Sequence, residues 1–385
     1  MITYGRQDIS NQDIESVCDV LRSDFLTQGP VVPLFESELA EYCGASFGLA
    51  VNSATSALHL VCLAMGLGPG DVGWTSPISF VATANAMRLT GAMVDFVDID
   101  PLTFNLSPIA LREKLELVEA SGGQLPKVVI VVHMCGQSAD MQEFKRLSVQ
   151  YDFRLIEDAS HALGARYQGQ PVGCCRYSDA AIFSFHPVKM ITTGEGGAVL
   201  TNQRDLFDSI SLLRSHGVTK RAELLKGDAE PWWYEQHTLG LNYRMTDVSG
   251  ALGRSQLRRL NEFVETRNRL AARYTEAFRG SRIKTPSVVE GNLSSFHLYV
   301  VQIDFDSSVV DRSELFKKLE RSGIGVNVHY IPTYKQPYYQ ALLGADYALP
   351  EAERYYRSCL TIPLHSQLSE SDQNLVISEL LGIYE

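Results

Sequence analysis

A single lysine stands in the stretch Phe183-Ser184-Phe185-His186-Pro187-Val188-Lys189-Met190-Ile191-Thr192-Thr193-Gly194-Glu195-Gly196-Gly197, between an apolar strand and a turn rich in hydroxyl groups and glycine. A lysine at the end of such a strand leaves water, and desolvation disfavours its ammonium form. The neutral amine is the nucleophile that forms a Schiff base with a carbonyl cofactor. The alternative interpretation is a surface lysine on a loop, one of 34 lysines and arginines. A cofactor site elsewhere in the chain would decide between the two.

Length and composition indicate a globular protein of ordinary charge. The 385 residues are enough for a large domain, predicted at 1–250, and a smaller one at 251–385. A formal net charge of −11 argues against nucleic acid as a partner. No apolar run reaches the roughly 18 residues of a membrane span, and the N-terminus lacks a signal-peptide apolar segment. Seven cysteines without metal-ligand spacing predict reduced thiols, no metal site and a cytoplasmic location.

Apolar strands alternate with helices from about residue 46 to 215. The predicted strands are 47–52, 72–75, 92–97, 128–132, 154–157 and 180–184. Continuous apolar strands separated by helices predict an α/β fold with a mostly parallel sheet covered by helices on both faces. An amphipathic helix from about 250, a strand near 296–303 and helices at 311–322 and 370–382 predict a smaller α+β domain. Ligands of such sheets bind at the carboxyl ends of the strands.

Polar motifs follow three of these strands. Asn52–Ala57 opens a helix whose N–H groups and dipole suit a phosphate, although a simple N-cap is the commoner role of such residues. Glu157–His161 ends another strand, where a carboxylate is costly unless it meets a cation or a donor. A pyridinium nitrogen would be such a partner for Asp158, and a capping aspartate is the alternative. Together with Lys189, these motifs supply the parts of a pyridoxal-phosphate site.

The same motifs resemble a known family. Asp158, the run from Ser184 to Gly197, and Gly240-Leu241-Asn242-Tyr243-Arg244-Met245-Thr246-Asp247 are similar to the sugar aminotransferases of the DegT/DnrJ/EryC1/StrS family. The resemblance extends from Tyr4 to the C-terminal helix. It implies the fold-type I of pyridoxal-phosphate-dependent transferases, with pyridoxal 5'-phosphate as the cofactor.

The resemblance also implies roles for single residues. Lys189 would carry the cofactor as a Schiff base and move protons, and Asp158 would pair with the pyridine nitrogen. The other cofactor contacts implied are Thr55, Ser56 and Ser184 at the phosphate, Phe80 on the ring face, His161 near the phenolic oxygen where many relatives have glutamine, and Asn242 at the phosphate of a neighbouring subunit. A homodimer with a shared active site follows from the last of these. Packing in the core is the alternative for Phe80 and His161.

Substrate contacts are implied for seven residues, namely Tyr4, Leu26, Thr27, Gln28, Tyr243, Arg244 and His329. Arginine suits the geometry of phosphate groups, and a structural hydrogen bond is the alternative role. The implied reaction moves the amino group of L-glutamate to C4 of a UDP-4-keto-6-deoxy-N-acetylhexosamine. The alternatives are a transaminase for another nucleotide keto-sugar, a sugar dehydratase and a non-catalytic regulator of the same fold. Relatives that act as dehydratases replace the lysine with histidine, so Lys189 argues against that activity.

Overall fold

The computed structural model describes residues 1–384 except 222–223, 227–229, 306–307 and 309. The strands in this part of the chain are β1 (Phe47–Val51), β2 (Val72–Thr75), β3 (Met93–Phe96), β4 (Val128–Val132), β5 (Arg154–Asp158), β6 (Arg166–Tyr167), β7 (Gln170–Pro171), β8 (Ala180–Ser184), β9 (Gly197–Thr201), β10 (Val218–Thr219), β11 (Glu235–Gln236), β12 (Tyr299–Gln302) and β13 (Cys359–Ile362). Short 3-10 turns occur at Met134–Gly136 and Thr333–Lys335.

The α-helices of the described chain are α1 (Asn11–Leu21), α2 (Val31–Cys43), α3 (Ala54–Ala64), α4 (Ala82–Leu89), α5 (Pro108–Ala120), α6 (Met141–Tyr151), α7 (Arg204–Leu213), α8 (Asp247–Arg258), α9 (Leu260–Ala277), α10 (Arg312–Arg321), α11 (Pro337–Leu343), α12 (Pro350–Ser358) and α13 (Glu370–Leu381). None of these helices combines the length and the apolar character that crossing a bilayer requires.

Seven strands form the central sheet, in the order β1-β9-β8-β5-β4-β2-β3. The neighbours from β8 to β3 run parallel, whereas β9 is antiparallel to both β1 and β8. The predicted mostly parallel sheet is therefore confirmed. Strand β9 was not predicted, because the glycines at 196 and 197 indicate a turn in the sequence. In the structure Gly197 begins a buried strand and pairs with both Val51 and Ser184.

Side chains from the two faces of the sheet enter different cores. Ile182 packs in one cluster with residues of α3 and α4, whereas its neighbour Phe183 packs in another with residues of α2 and α9. Strand β4 is buried along its whole length. Burial on both faces explains why these strands appear in the sequence as continuous apolar runs rather than as alternating ones.

The C-terminal third has its own core beside the sheet. Strands β12 and β13 pair antiparallel, and their side chains share a cluster with residues of α9, α10 and α13. The N-terminal segment packs on this region, since Ile2 bridges to Ile324 and the carbonyl of Tyr4 accepts from the Leu364 amide. The helix predicted from about residue 250 consists of two helices, α8 and α9. The predicted domain boundary at 250 lies within α8, and the division into two domains stays a prediction.

All seven cysteines carry free thiols. Burial raises the pKa of the Cys62 thiol to about 12. This thiol therefore remains protonated near neutral pH and behaves as a small apolar side chain.

Gly197 provides a test of the close approach between β9 and α3. A Cβ at this position would lie 2.5 Å from the Ala54 nitrogen and 2.6 Å from the Ser53 carbonyl carbon. Because backbone atoms cannot move aside locally, we expect Gly197→Ala to lower the free energy of unfolding by about 1–3 kcal/mol in urea titrations. Gly68→Ala is the control, since its Cβ would meet nothing closer than 4.0 Å. Equal effects of the two substitutions would contradict this packing.

Candidate active site

A cavity of about 640 Å³ opens at the carboxyl ends of β1, β5 and β8. Its volume is in the range of sites that bind small molecules. Eight residues predicted from the sequence line it, namely Tyr4, Thr55, Phe80, Asp158, His161, Ser184, Lys189 and His329. Phe80 is 62 % exposed, so it faces the cavity and does not pack in the core. The fold thus brings residues from both ends of the chain to one place.

Lys189 is held in the turn after β8, where its amide donates to the carbonyl of His186 at 2.9 Å. Burial lowers the pKa of Lys189 to about 8, and the negative charge of Asp158 opposes that shift. A pKa of about 8 leaves roughly a tenth of the side chains neutral at pH 7, compared with well under a thousandth at the ordinary lysine pKa of about 10.4. This neutral fraction has the free lone pair that a nucleophile needs, and the catalytic role of Lys189 stays a prediction.

Asp158 ends β5 and is almost fully buried. The hydroxyl of Thr83 donates to Oδ2 at 2.7 Å, and the hydroxyl of Ser160 donates to Oδ1 at 2.6 Å. The Ser160 amide also donates to Oδ1, at 3.2 Å. Donors on both oxygens fix the orientation of the carboxylate and stabilise its charge. A fixed carboxylate in a cavity is suited to a cationic ring nitrogen.

The N-terminus of α3 forms another wall of the cavity. Ser53 caps the helix by accepting from the Ser56 amide at 3.1 Å, and the two hydroxyl oxygens lie 3.0 Å apart. Ser53, Ala54 and Thr55 line the cavity, and Ser184 joins them from β8. Ser56 is buried behind this wall and supports the cap. Free N–H groups in the first turn and nearby hydroxyl groups suit a phosphate.

The side chains of His161 and Tyr330 line the cavity and are joined by a hydrogen bond whose donor can be assigned. The Cys135 amide donates to Nδ1 of His161 at 3.3 Å, and the Tyr330 hydroxyl oxygen lies 3.2 Å from Nε2. Burial lowers the pKa of His161 well below its usual value, so the imidazole is neutral. Its proton must then be on Nε2 and is donated to Tyr330. The hydroxyl proton of Tyr330 is left to point elsewhere, and Tyr330 lines the cavity.

Thr83, Ser160, His297 and Tyr330 also belong to this site and were not predicted from the sequence. Nε2 of His297 lies 3.5 Å from Nζ of Lys189. Thr83 and Ser160 lie close to predicted motifs in the sequence. They could therefore have been predicted as hydroxyl donors to a buried acid. His297 and Tyr330 come from the C-terminal third, and their position in this cavity depends on tertiary packing that periodicity does not reveal.

The remaining predicted residues lie outside this cavity: Leu26, Thr27, Gln28, Asn242, Tyr243 and Arg244. Their two segments lie side by side, since Thr27 bridges to Thr246 and the Asp247 amide donates to the Leu26 carbonyl. The carboxylate of Asp247 also accepts from the amides at the start of α2. The functional roles of these six residues stay predictions.

Known proteins share this fold and sequence over the whole chain. A transaminase of Campylobacter jejuni (strain 81-176), UDP-4-amino-4,6-dideoxy-N-acetyl-beta-L-altrosamine transaminase, is 39% identical over 100% of this chain and 98% of its own. The structure of PseC of Helicobacter pylori, an aminotransferase involved in the biosynthesis of pseudoaminic acid, superposes with a TM-score of 0.91 at 30% identity, covering 100% and 99% of the chains. The PLP-form of the putative sugar aminotransferase Spr1654 of Streptococcus pneumoniae gives 0.89 at 28% identity, covering 100% and 98%.

Lys189 and the fixed carboxylate of Asp158 line one cavity at the strand ends of a mostly parallel sheet, and this arrangement suits an aminotransferase. The chain belongs to the DegT/DnrJ/EryC1/StrS aminotransferase family, whose model matches residues 7–381.

Proposed function

We propose that this enzyme transfers the amino group of L-glutamate to C4 of a UDP-4-keto-6-deoxy-N-acetylhexosamine, UDP-2-acetamido-2,6-dideoxy-β-L-arabino-hex-4-ulose. The product is UDP-4-amino-4,6-dideoxy-N-acetyl-β-L-altrosamine, a precursor in pseudaminic acid biosynthesis. The observation that carries the proposal is the partly buried Lys189, with a pKa of about 8, in the same cavity as Asp158. The choice of sugar is supported by the identity of 39% to the Campylobacter jejuni transaminase over the whole chain.

The residues of the cavity fit pyridoxal 5'-phosphate. The first turn of α3 presents Ala54 and Thr55 for the phosphate, and Gly197 keeps β9 close to this turn, where a Cβ would strike the Ala54 nitrogen. Asp158 is fixed by hydroxyl groups for the ring nitrogen, and exposed Phe80 offers a flat apolar surface for the ring. The cofactor supplies an electron sink for the carbon that gains or loses the amino group.

The residues of the protein bind the reacting groups and transfer protons. Asp158 would pair with the ring nitrogen, and its fixed negative charge would favour a positive charge there. Lys189 is the base that removes the proton from Cα of glutamate and the acid that returns one to C4 of the sugar, because its pKa of about 8 is close to neutral pH. The neutral rings of His161, His297 and His329 surround Lys189 without competing with it for protons, since burial lowers the pKa of each.

We further propose that two copies of the chain share each active site. The segments at 26–28 and 242–246 place Asn242 and Arg244 outside their own cavity, and large apolar side chains are exposed in or next to these segments, with Leu239 86 % exposed and Leu26 50 % exposed. Exposed apolar groups beside unused polar ones are typical of a protein interface. In the dimer, Asn242 contacts the phosphate group in the partner's cavity, and Leu26, Thr27, Gln28, Tyr243 and Arg244 contact the nucleotide sugar.

The substrate assignment is tested with L-glutamate and a panel of UDP-4-keto-sugars. We expect the L-arabino keto-sugar to gain a C4 amine, with the L-altro configuration in NMR spectra and with release of 2-oxoglutarate. Lys189→Arg is the matched control, because a guanidinium stays charged at every relevant pH and cannot act as the neutral nucleophile. We expect it to give no product. If only a different keto-sugar were aminated, the enzyme would be a transaminase for that sugar and the proposed substrate would be wrong. If glutamate left the absorbance of the bound cofactor unchanged, the regulator alternative would replace it.

The shared site is tested by mixing two inactive variants, Lys189→Arg and Asn242→Ala. If Asn242 acts in the partner's cavity, one of the two sites in each mixed dimer is intact. Random pairing then restores about a quarter of the wild-type activity. If Asn242 served its own subunit, no mixed dimer would contain an intact site and the activity would stay at the level of the separate variants.

A further inference from the structure

His297 lies within hydrogen-bond distance of Lys189, and the proposed reaction does not use it. It is 3 % exposed, lines the cavity and places Nε2 at 3.5 Å from Nζ of Lys189, the outer limit of a hydrogen bond. Its ring centroid lies 4.5 Å from that of His161. The guanidinium of Arg267 donates to the carbonyl of His297 at 3.2 Å and to that of Leu364 at 2.7 Å. The backbone that carries the ring is therefore fixed.

The position of the proton on His297 follows from burial. Burial lowers the pKa of this imidazole well below its usual value, and the charges of Lys189 and Arg267 lower it further. The ring is neutral and has one N–H. Nδ1 is buried and has no hydrogen-bond partner among the described residues. A buried N–H without an acceptor is rarer and more costly than an unused lone pair. The proton therefore belongs on Nε2, which faces Lys189.

We propose that His297 is a positioning residue that favours the neutral form of Lys189 by donating its Nε2–H to the amine nitrogen. A neutral amine has a lone pair to accept this hydrogen bond, and an ammonium has none. To accept from an ammonium, the imidazole must move its proton to Nδ1, where the N–H is buried without a partner. Each charge state of the lysine is thus coupled to one tautomer of His297, and burial of Nδ1 favours the pair in which the lysine is neutral.

The other groups around Lys189 act in different directions. Asp158 favours the ammonium by its charge, and the Cys135 thiol acts in the same direction. The imidazoles of His161 and His329 are kept neutral by burial, and Tyr330 holds its proton because burial raises its pKa. In this proposal His297 acts together with burial, and against Asp158, in favour of the neutral amine. The inference rests on the proposed function only in that Lys189 is the nucleophile.

The tautomer is tested by NMR on the full-length chain, purified without cofactor and labelled with ¹⁵N-histidine. Long-range couplings distinguish the two ring nitrogens, and the signals of His297 are those lost in His297→Gln. We expect a protonated Nε2 and an unprotonated Nδ1 near pH 9, where Lys189 is neutral. A protonated Nδ1 at that pH would overturn the proposal. Any folded His297 variant can supply the assignment. The tautomer itself is then read from the wild-type spectrum.

The effect on Lys189 is tested by the pH dependence of its acylation in the same cofactor-free chain, followed by peptide mass spectrometry. In His297→Gln the amide oxygen can accept from the ammonium without leaving a proton buried. We expect the pKa of Lys189 to rise above about 8 and its acylation at pH 7 to slow about tenfold, the change that one pKa unit gives. His365→Gln is the matched control, because His365 is also buried with an unpartnered Nδ1 but does not line the cavity that holds Lys189.

Equal titration of Lys189 in the wild type and in His297→Gln would overturn the proposal, and so would an equal slowing in His365→Gln. These readouts need neither cofactor nor substrate. A failure of the proposed function, in which the chain aminates another sugar or none, would leave them unchanged. The two proposals can therefore fail separately.

Discussion

The balance between burial and charge at Lys189 is the constraint on which the rest of the structure depends. An ammonium buried without a partner is costly, whereas a full ion pair with a carboxylate would fix the lysine in its charged form. The site avoids both extremes. Asp158 lies near enough to raise the pKa, while its two oxygens already accept from Thr83 and Ser160. The result is a pKa of about 8, between the value of a free lysine and that of an isolated buried one.

The fold places the groups that determine the pKa of Lys189 by bringing three strand ends together. The antiparallel strand β9 lies between β1 and β8, and its first residue, Gly197, pairs with both neighbours. The turn after β1, which we propose as the phosphate site, and the lysine turn after β8 are thereby held at a fixed separation. Asp158 comes from β5, the next strand. The C-terminal third contributes His297, His329 and Tyr330 to the lining of the cavity that holds the lysine.

The sequence was sufficient for the parts of the site that depend on local pattern. Apolar runs such as 128–132 and 180–184 mark strands directly, and Asp158 and Lys189 follow their strands within a few residues. Strand β9 was not predictable, because its glycines are needed for close packing and look like turn residues. The approach of His297 to Lys189, 108 residues apart in sequence, depends on how the C-terminal region packs on the sheet. Periodicity within a segment contains no information about that contact. The family resemblance supplied the identity of the cofactor, which the residues alone only suggest.

The central claim is that Lys189 is the residue that binds the cofactor covalently. The most direct measurement is borohydride reduction of the enzyme loaded with pyridoxal 5'-phosphate, followed by digestion and mass spectrometry. Reduction makes the lysine–cofactor bond permanent, so the mass of the cofactor is retained on a peptide. We predict that it is found on Lys189 alone, in stoichiometric yield. Modification of another lysine, or of none, would contradict the account.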